Sequence, residues 1–391
     1  MTNIKEIDFM FEIAFNKTLP HFYKQSYHIM DDTPLLSSDE TITPSVDNEI
    51  YTVIDVPSYI KVTKKEFNYP IGFKSIKQYN GYYIDLDGYA KIEDYLKDRF
   101  SSSSRQLLRA GKKRLEICFN SSYKMYYGDI DKSLYDDLFK QFYKMLKQRA
   151  NEKGIENRNL KHWDLYTKEV YNMILNKQAS LFVIYDGTKA INISLNMHLG
   201  KTVFLFITTY DINYSKFRLG HTNWMLQLEW FIKNNIKIID FNKGNIEYKK
   251  RWANNEYHFE YHFFYSKSNI LSRLKVLRAL SILKLKQVLR NGNINTYYYN
   301  FLDKLKDNKE SFKKLNYELI QQELPNEKEH IVMISNDEFD QYSFLRRIVY
   351  NYLYLSKLHI DEVIVYKELS NEECFYIKSK KESFNIYLNK K

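Results

Sequence analysis

The sequence predicts an α/β protein built on a mixed α+β sheet, and three observations carry that expectation. Residues 115–265 run through apolar patterns in the order strand, two helices, three strands, helix, strand, short helix, strand. Within them, the β-branched and aromatic run Val203 to Tyr210 reads as a buried strand. Across a polar loop ending at Gly220 it leads into a helix with Trp224, Leu228 and Phe231 on one face, widened by Met225, Leu226 and Trp230. Composition agrees: 44% of residues are hydrophobic and 16% aromatic, with 35 Tyr, which suits strands and wide clefts better than a coiled coil. At 391 residues the chain is long enough for roughly two or three domains.

Residues 1–95 read as short strands and turns, with Tyr51 to Val56 and Tyr82 to Leu86 strand-like and a loop from Thr33 to Asn48 punctuated by Pro34 and Pro44. Nothing catalytic stands out there; Asp85 and Asp87, around Leu86 and before Gly88, mark a strand-ending turn. From Lys91 to Arg114 a serine run caps a strongly basic helix. Its Arg105, Arg109, Lys112, Lys113 and Arg114 fit phosphate contacts or a solvated face. Leu115 to Tyr127 reads as a strand. Amphipathic helices follow at Lys132 to Asn151, with Leu134, Leu138, Phe142, Met145 and Leu146 on one face, and at Leu160 to Asn176. Strands at Ser180 to Tyr185, Lys189 to His198 and Lys201 to Tyr210 are joined by Asp186-Gly187, a hairpin turn signal, and Leu199-Gly200.

A strand, a glycine turn and a helix together form the layout in which free backbone N–H groups and the positive end of the macrodipole favour an anion. Lys216 and Arg218 add charge, and Gly220 lets the backbone come close, which is chemistry for a pyrophosphate. A plain turn with solvated cations fits the same residues. Asn234-Asn235 ends the helix, and Ile236 to Asp240 is the next strand. Asp240 lies at the strand edge where open α/β sheets place their sites. It is a base or substrate anchor, or else it caps the turn Asn242-Lys243-Gly244. A short helix then carries Tyr248, Lys249, Arg251 and Trp252, and a last strand reaches Tyr265. Glu229 and His221 read more simply as a salt-bridged surface residue and a helix-start residue.

Residues 261–302 contain no Asp or Glu, and 272–291 form a basic amphipathic helix that fits either an anionic membrane or the preceding domain. A helix from Asp340 to Leu358 between strands at His330 to Ser335 and Glu362 to Tyr366, then Phe375 to Leu388, suggests a small α/β appendage. The expected divisions are 1–95, 96–265, 266–310 and 311–391. A net charge of +11 favours a polyanionic partner. Cys118 and Cys374 are the two cysteines, too few and too far apart for a disulfide framework or zinc site. The N-terminus lacks signal-peptide character and no window approaches the ~18 apolar residues of a span. A cytoplasmic protein without a metal is expected, peripheral at the inner membrane face if 272–291 meets lipid.

Four pieces carry a family resemblance: SSSRQLLRAGKKRLE (102–116), KMLKQRANEKG (144–154), RLGHTNW (218–224) and DFNKGNIEYKKRW (240–252). They resemble the GNAT superfamily of acyl-CoA N-acyltransferases, in its CelD-like or BioF2-like branch, over roughly residues 95–265. The chain departs from the pattern at Leu219, where proline often precedes the glycine, at Phe217, where Gln or Arg is usual, and at Thr222, a small-residue position. The resemblance implies a GNAT fold, extended to a tandem form with a degenerate N-terminal half. It implies acyl transfer from acetyl-CoA or another acyl-CoA to a small-molecule amine, such as a sugar or cell-envelope precursor. The thioester carbonyl would be held by backbone N–H groups between Thr208 and Tyr210. The anionic end of the donor would sit on the N–H groups of Gly220, His221 and Thr222, beside Lys216, Arg218 and Leu219. Lys249 matches the family's lysine, Tyr248 would protonate the departing thiolate, and Asp240 would serve as base or anchor. The Fem-type aminoacyltransferases are similar in architecture and take their acyl group from aminoacyl-tRNA, a donor that the positive charge also suits. A non-catalytic basic module for membrane or RNA stands as the non-enzyme reading.

Overall fold

The structure is a computed structural model. It describes residues 3–30, 32–39, 45–46, 49–154, 156–244, 247–292, 317–324, 330–335, 338–342, 344–371, 374–380 and 382–388. Part of the expected 33–48 loop and of the expected 266–310 segment lies outside them.

The strands before residue 95 are β1 (Asn3–Asp8), β2 (Tyr23–His28), β3 (Pro34–Ser37), β4 (Glu49–Pro57), β5 (Ile60–Lys64) and β6 (Ile71–Asp85). One helical turn, α1 (Phe9–Phe11), follows β1. The middle of the chain gives α2 (Ile92–Arg99), α3 (Ser102–Cys118), β7 (Ser121–Tyr126), α4 (Lys132–Lys153), α5 (Trp163–Leu175), β8 (Ala179–Asp186), β9 (Lys189–Leu199) and β10 (Thr202–Tyr210). After these come α6 (Leu219–Lys233), β11 (Ile238–Lys243), α7 (Glu247–Trp252), β12 (Asn255–Ser266) and α8 (Ile270–Asn291). The C-terminal elements are β13 (Tyr317–Gln321), β14 (Ile331–Ile334), α9 (Leu345–Ser356), β15 (Ile364–Glu368), β16 (Phe375–Lys378) and β17 (Ser383–Leu388).

Nine strands form one mixed sheet in the order β1-β4-β12-β6-β11-β10-β9-β8-β7, parallel only at β1–β4 and β10–β11. The N-terminal region is part of this sheet, because β6 lies between β12 and β11. The division expected at residue 95 therefore falls inside a continuous hydrogen-bonded layer. The sheet is buried on both faces, so its central strands read as unbroken apolar runs. Alternation still decides the faces. On β10, Phe204 joins the core under α4 and α5, while Val203 and Leu205 join the core under α2 and α6. On β11, Ile239 and Phe241 face α6, and Asp240 takes the other side.

One local expectation changes. Leu115 continues α3 rather than opening a strand, because Leu108, Gly111, Leu115 and Cys118 repeat at helical spacing and all four are buried. The run from Phe375 to Leu388 forms two paired antiparallel strands. The C-terminal sheet, β13-β17-β16-β15-β14, packs with α9 onto Leu115, Phe119, Tyr214 and Phe217. Among the described residues no helix is long and apolar enough to cross a membrane.

Candidate active site

The site is a gap in the sheet. β10 and β11 pair only at Thr202–Ile238, Val203–Ile239 and Phe204–Asp240. Beyond that point both strands bend. The β10–β9 register shifts between Leu205 and Ile207, an extra residue that turns β10 aside. On β11, Asn242 adopts a left-handed conformation (φ 62°), which asparagine tolerates well. It is held there because Asp240 Oδ1 accepts the Asn242 N–H (2.6 Å) and Asn242 Oδ1 accepts the Lys243 N–H (2.9 Å). Past the fork, the N–H groups of β10 that point away from β9 face open space instead of a neighbouring strand.

Two cavities meet in the gap. The larger, about 600 Å³, is bounded by β10, β11 and α7, together with Asp8, Phe11 and Asp55 from the N-terminal region. The smaller, about 330 Å³, lies at the start of α6 and is lined by Arg149, Tyr210, Arg218, Gly220 and His221. Thr208, Trp224 and Tyr248 line both. The Trp224 and Tyr248 rings run nearly parallel (16°, centroids 6.4 Å apart), and Phe241 packs edge-on against Trp224.

The smaller cavity is electropositive and, among the described residues, carries no Asp or Glu in its wall. Arg149 lies over the Tyr210 ring at 4.4 Å. Arg218 is the N-cap of α6 and sits at φ 54°. A left-handed, positively charged, non-glycine N-cap is unfavourable on both counts, and α6 has no acidic residue in its first turn to offset it. The helix begins at Leu219, before the expected glycine. The N–H groups of His221 and Thr222 therefore already donate to the Arg218 carbonyl (2.9 and 3.2 Å). The donors at the open end are those of Leu219 and Gly220, which corrects the expected set. Gly220 has an ordinary helical conformation, and a Cβ placed on it would meet nothing within 4 Å. Burial and nearby Arg251 and Arg218 lower the His221 pKa, so the ring is neutral. Its Nδ1 accepts from the Trp252 indole (3.2 Å), which leaves the proton on Nε2. Thr222 is fully buried and Lys216 is exposed; neither lines a cavity. Phe217, at a position where the resemblance leads one to expect Gln or Arg, is fully buried between Phe119 and Tyr354.

The larger cavity carries carboxylates. Asp8 caps α1 through Phe11 N–H (3.0 Å) at Oδ1. Burial raises its pKa, and neighbouring Asp55 adds to the rise. Asp55 is left-handed (φ 60°), a strained state for a non-glycine strand residue, and is buried against Tyr79 and Lys243. Lys249 also lines this cavity, with its ammonium donating to the Phe241 (2.7 Å) and Lys243 (2.6 Å) carbonyls. Burial lowers its pKa to about 8. Lys249 thus clamps the bent end of β11. Asp240 lines neither cavity. It is fully buried and accepts from Tyr59 (2.6 Å), Tyr257 (2.8 Å to each oxygen) and Asn242 N–H. Burial pushes its pKa up to about 6. Its oxygens are turned away from both cavities and saturated, so its place is at the fork rather than in contact with substrate.

The sequence reading missed Asp8, Asp55 and Arg149. Arg149 sits inside the quoted segment 144–154 but carried no signal of its own, and the Asp55 backbone state has none. Among the described residues no cluster of three or more His, Cys, Asp or Glu is placed to hold a metal.

Residues 102–250, which supply β10, α6, β11 and the start of α7, match the family described as Acetyltransferase (GNAT) domain. That segment is similar to GNAT acetyltransferase domains, the superfamily its motifs resemble. No curated protein matches it. Solved structures similar to it include FemX (13% identity, 52% of this chain and 68% of that one, TM-score 0.40). Another is L-PGS from Bacillus licheniformis (10%, 59% and 72%, TM-score 0.36). A third is a tandem GNAT protein from the clavulanic acid biosynthesis pathway (9%, 55% and 63%, TM-score 0.30). The GNAT match ends at residue 250 and begins at 102, so Asp8 and Asp55 lie outside it.

Proposed function

We propose that this protein is a GNAT acyltransferase that moves an acyl group from acetyl-CoA or another acyl-CoA to the amino group of a small acceptor. The supporting observation is the pair of cavities that share Thr208, Trp224 and Tyr248, one lined by arginines without a carboxylate and one that holds Asp8 and Asp55 beside Arg158, Lys243 and Lys249. The donor's phosphates lie on Arg149, Arg218 and the Leu219 and Gly220 N–H groups. Its thioester points to the shared wall, where an unpaired β10 N–H near Thr208 takes the carbonyl oxygen.

The acceptor enters from the other side. An ordinary amine with a pKa near 10.4 is neutral in roughly 1 molecule in 2,500 at pH 7, so a base is required. Asp8 is that base: it faces the cavity, its pKa is raised, and Asp55 beside it adds attraction for the incoming ammonium. The deprotonated nitrogen attacks the thioester carbon, the C–N bond forms and the C–S bond breaks. Tyr248 donates to the sulfur as it leaves and regains the second proton that the nitrogen sheds as the amide forms. A sugar or cell-envelope amine is the acceptor class we favour, acting in the cytoplasm.

Calorimetry with acetyl-CoA and coenzyme A, followed by thiol release over a panel of amines, tests this reading. One-to-one binding and amine-dependent thiol release support it. Absence of coenzyme A binding together with transfer from aminoacyl-tRNA would replace the donor with the Fem-type one. Absence of both would leave a binding protein.

A further inference from the structure

Helix α8 has two apolar faces, and only one of them packs against the rest of the described residues. Ser272, Val276, Ala279 and Leu283 recur at helical spacing toward the sheet, where Val276, Ala279 and Leu283 pack with Ile50, Ile76, Phe263 and Tyr265. The opposite face repeats Ile270, Leu274, Leu277, Ser281, Leu285 and Val288 at the same spacing. Its five large apolar residues are 54–67% exposed, a concentration unlike the single exposed leucines of ordinary surfaces. The flanks are basic: Arg273 and Lys284 lie on one side, Lys275 and Lys286 on the other, and Arg278 within the face. The helix contains no acidic residue.

We infer that α8 is a membrane-surface helix. It would lie in the plane of a bilayer containing anionic lipid, with its outward leucines among the acyl-chain ends and its basic flanks at the headgroups. Charge complementarity selects this occupant. Basic residues on both edges of an apolar strip match an interface that is apolar below and negative above. Two copies packed through the same face would set Arg273, Arg278 and Lys284 against their own equivalents, with no acid in the helix to offset them. A helix of 22 residues spans about 33 Å, enough for a broad lateral contact. From its sheet-facing side α8 connects to the wall of the larger cavity: Arg290, near its end, lies over the Tyr79 ring at 5.3 Å, and Tyr79 donates to Asp55.

The test is flotation of the full chain with vesicles of phosphatidylcholine, with and without about 30% phosphatidylglycerol, at low and high salt. Binding to the anionic vesicles is expected, at least ~10-fold weaker on phosphatidylcholine alone and weakened by salt. The double variant Leu274→Asp/Leu285→Asp should lose that binding by ~10-fold or more. Its melting temperature should stay unchanged, because both side chains are solvent-facing. Lys284→Glu/Lys286→Glu should lose the preference for anionic lipid. Failure of the native chain to bind anionic vesicles would overturn the inference, as would undiminished binding by the leucine variant. A native dimer that the leucine variant dissolves, without vesicle binding, would assign the face to a second copy instead.

Discussion

Gly220→Asp separates donor binding from folding, because its two effects run in opposite directions. In the free protein the substitution should stabilise. Gly220 has a helical backbone and open space where a Cβ would stand, so replacing it with aspartate removes part of the entropic cost of glycine, about 0.3 kcal/mol. A carboxylate in the first turn of α6 also meets the positive end of a helix that has no acidic residue there, a gain of about 0.3–1 kcal/mol. A carboxylate within about 4 Å of a donor phosphate, however, costs between about 1 and 4 kcal/mol as the effective dielectric falls from that of water toward ~20. The side chain also fills the space the phosphate needs. Coenzyme A affinity should therefore fall by about 5-fold to several hundredfold while the thermal midpoint holds or rises. Calorimetry and a thermal melt on the same preparation read both. Unchanged coenzyme A affinity in a folded Gly220→Asp protein refutes the placement of the donor at α6. A clear drop in the melting temperature refutes the claim that the space is open.

Other outcomes follow from the same geometry. Asp8→Asn should lower turnover by roughly 10²–10⁴-fold with little change in coenzyme A affinity. Because the base works ionised and its pKa is raised, the acid limb of the native rate profile should lie above the ordinary carboxylate range and vanish in the variant, as a pH–rate series would show. Asp240 has a folded pKa of about 6 against an ordinary 3.8, so between those values the folded state holds the proton more tightly than the unfolded chain. Native stability should thus decline with rising pH across that window relative to Asp240→Asn, by up to about 3 kcal/mol, measured by urea unfolding at a series of pH values. Phe217→Gln brings the sequence closer to the family pattern but buries an amide between Phe119 and Tyr354. Unfolding titrations should show a loss of about 3 kcal/mol or more, and calorimetry no gain in donor affinity.

The elements that the sequence made legible are those whose pattern and burial coincide. Val203 to Tyr210, the helix after it and the hairpin at Asp186-Gly187 all appear, because period-2 and period-3.6 repeats there point into a real core. Glu229 pairs with Lys233 (2.7 Å) on the exposed side of α6, as its surroundings suggested. The donor end was legible for the same local reason: a glycine-containing helix start and its cations are contiguous in sequence. Its detail was not, because the helix starts one residue early, at a left-handed Arg218 whose conformation no residue type announces. Asp240 looked reactive from its place at a strand end. Only the tertiary arrival of Tyr59 and Tyr257, 181 and 17 residues away in the chain, shows it to be a sealed acceptor of hydrogen bonds. Asp8 and Asp55 were invisible because what brings them to the cavity is β-sheet order. β1 and β4 enter the sheet beyond β12 and β6, a pairing between distant segments that short patterns do not encode.

That same sheet order divides the chemistry between two stretches of chain. The smaller cavity is built entirely from residues within 102–250, the segment that matches the GNAT family. The larger draws Asp8, Met10, Phe11, Ala14 and Asp55 from outside it. The GNAT match therefore covers the whole of the smaller cavity, while part of the larger is built from residues outside it. Those residues make a cavity with two adjacent carboxylates, one of them strained into place and tethered to Lys243. Strain of that kind persists only where surrounding structure over-determines it, and here Tyr79 and Lys243 do so from two other strands of the same sheet. Replacing Asp55 by Gly would relieve the backbone strain but remove the charge; replacing it by Asn would keep the conformation and remove the charge. If the carboxylate selects a cationic acceptor, both variants should raise the acceptor KM together while leaving coenzyme A affinity alone. If only the backbone shape matters, the Asn variant should behave as the native chain does.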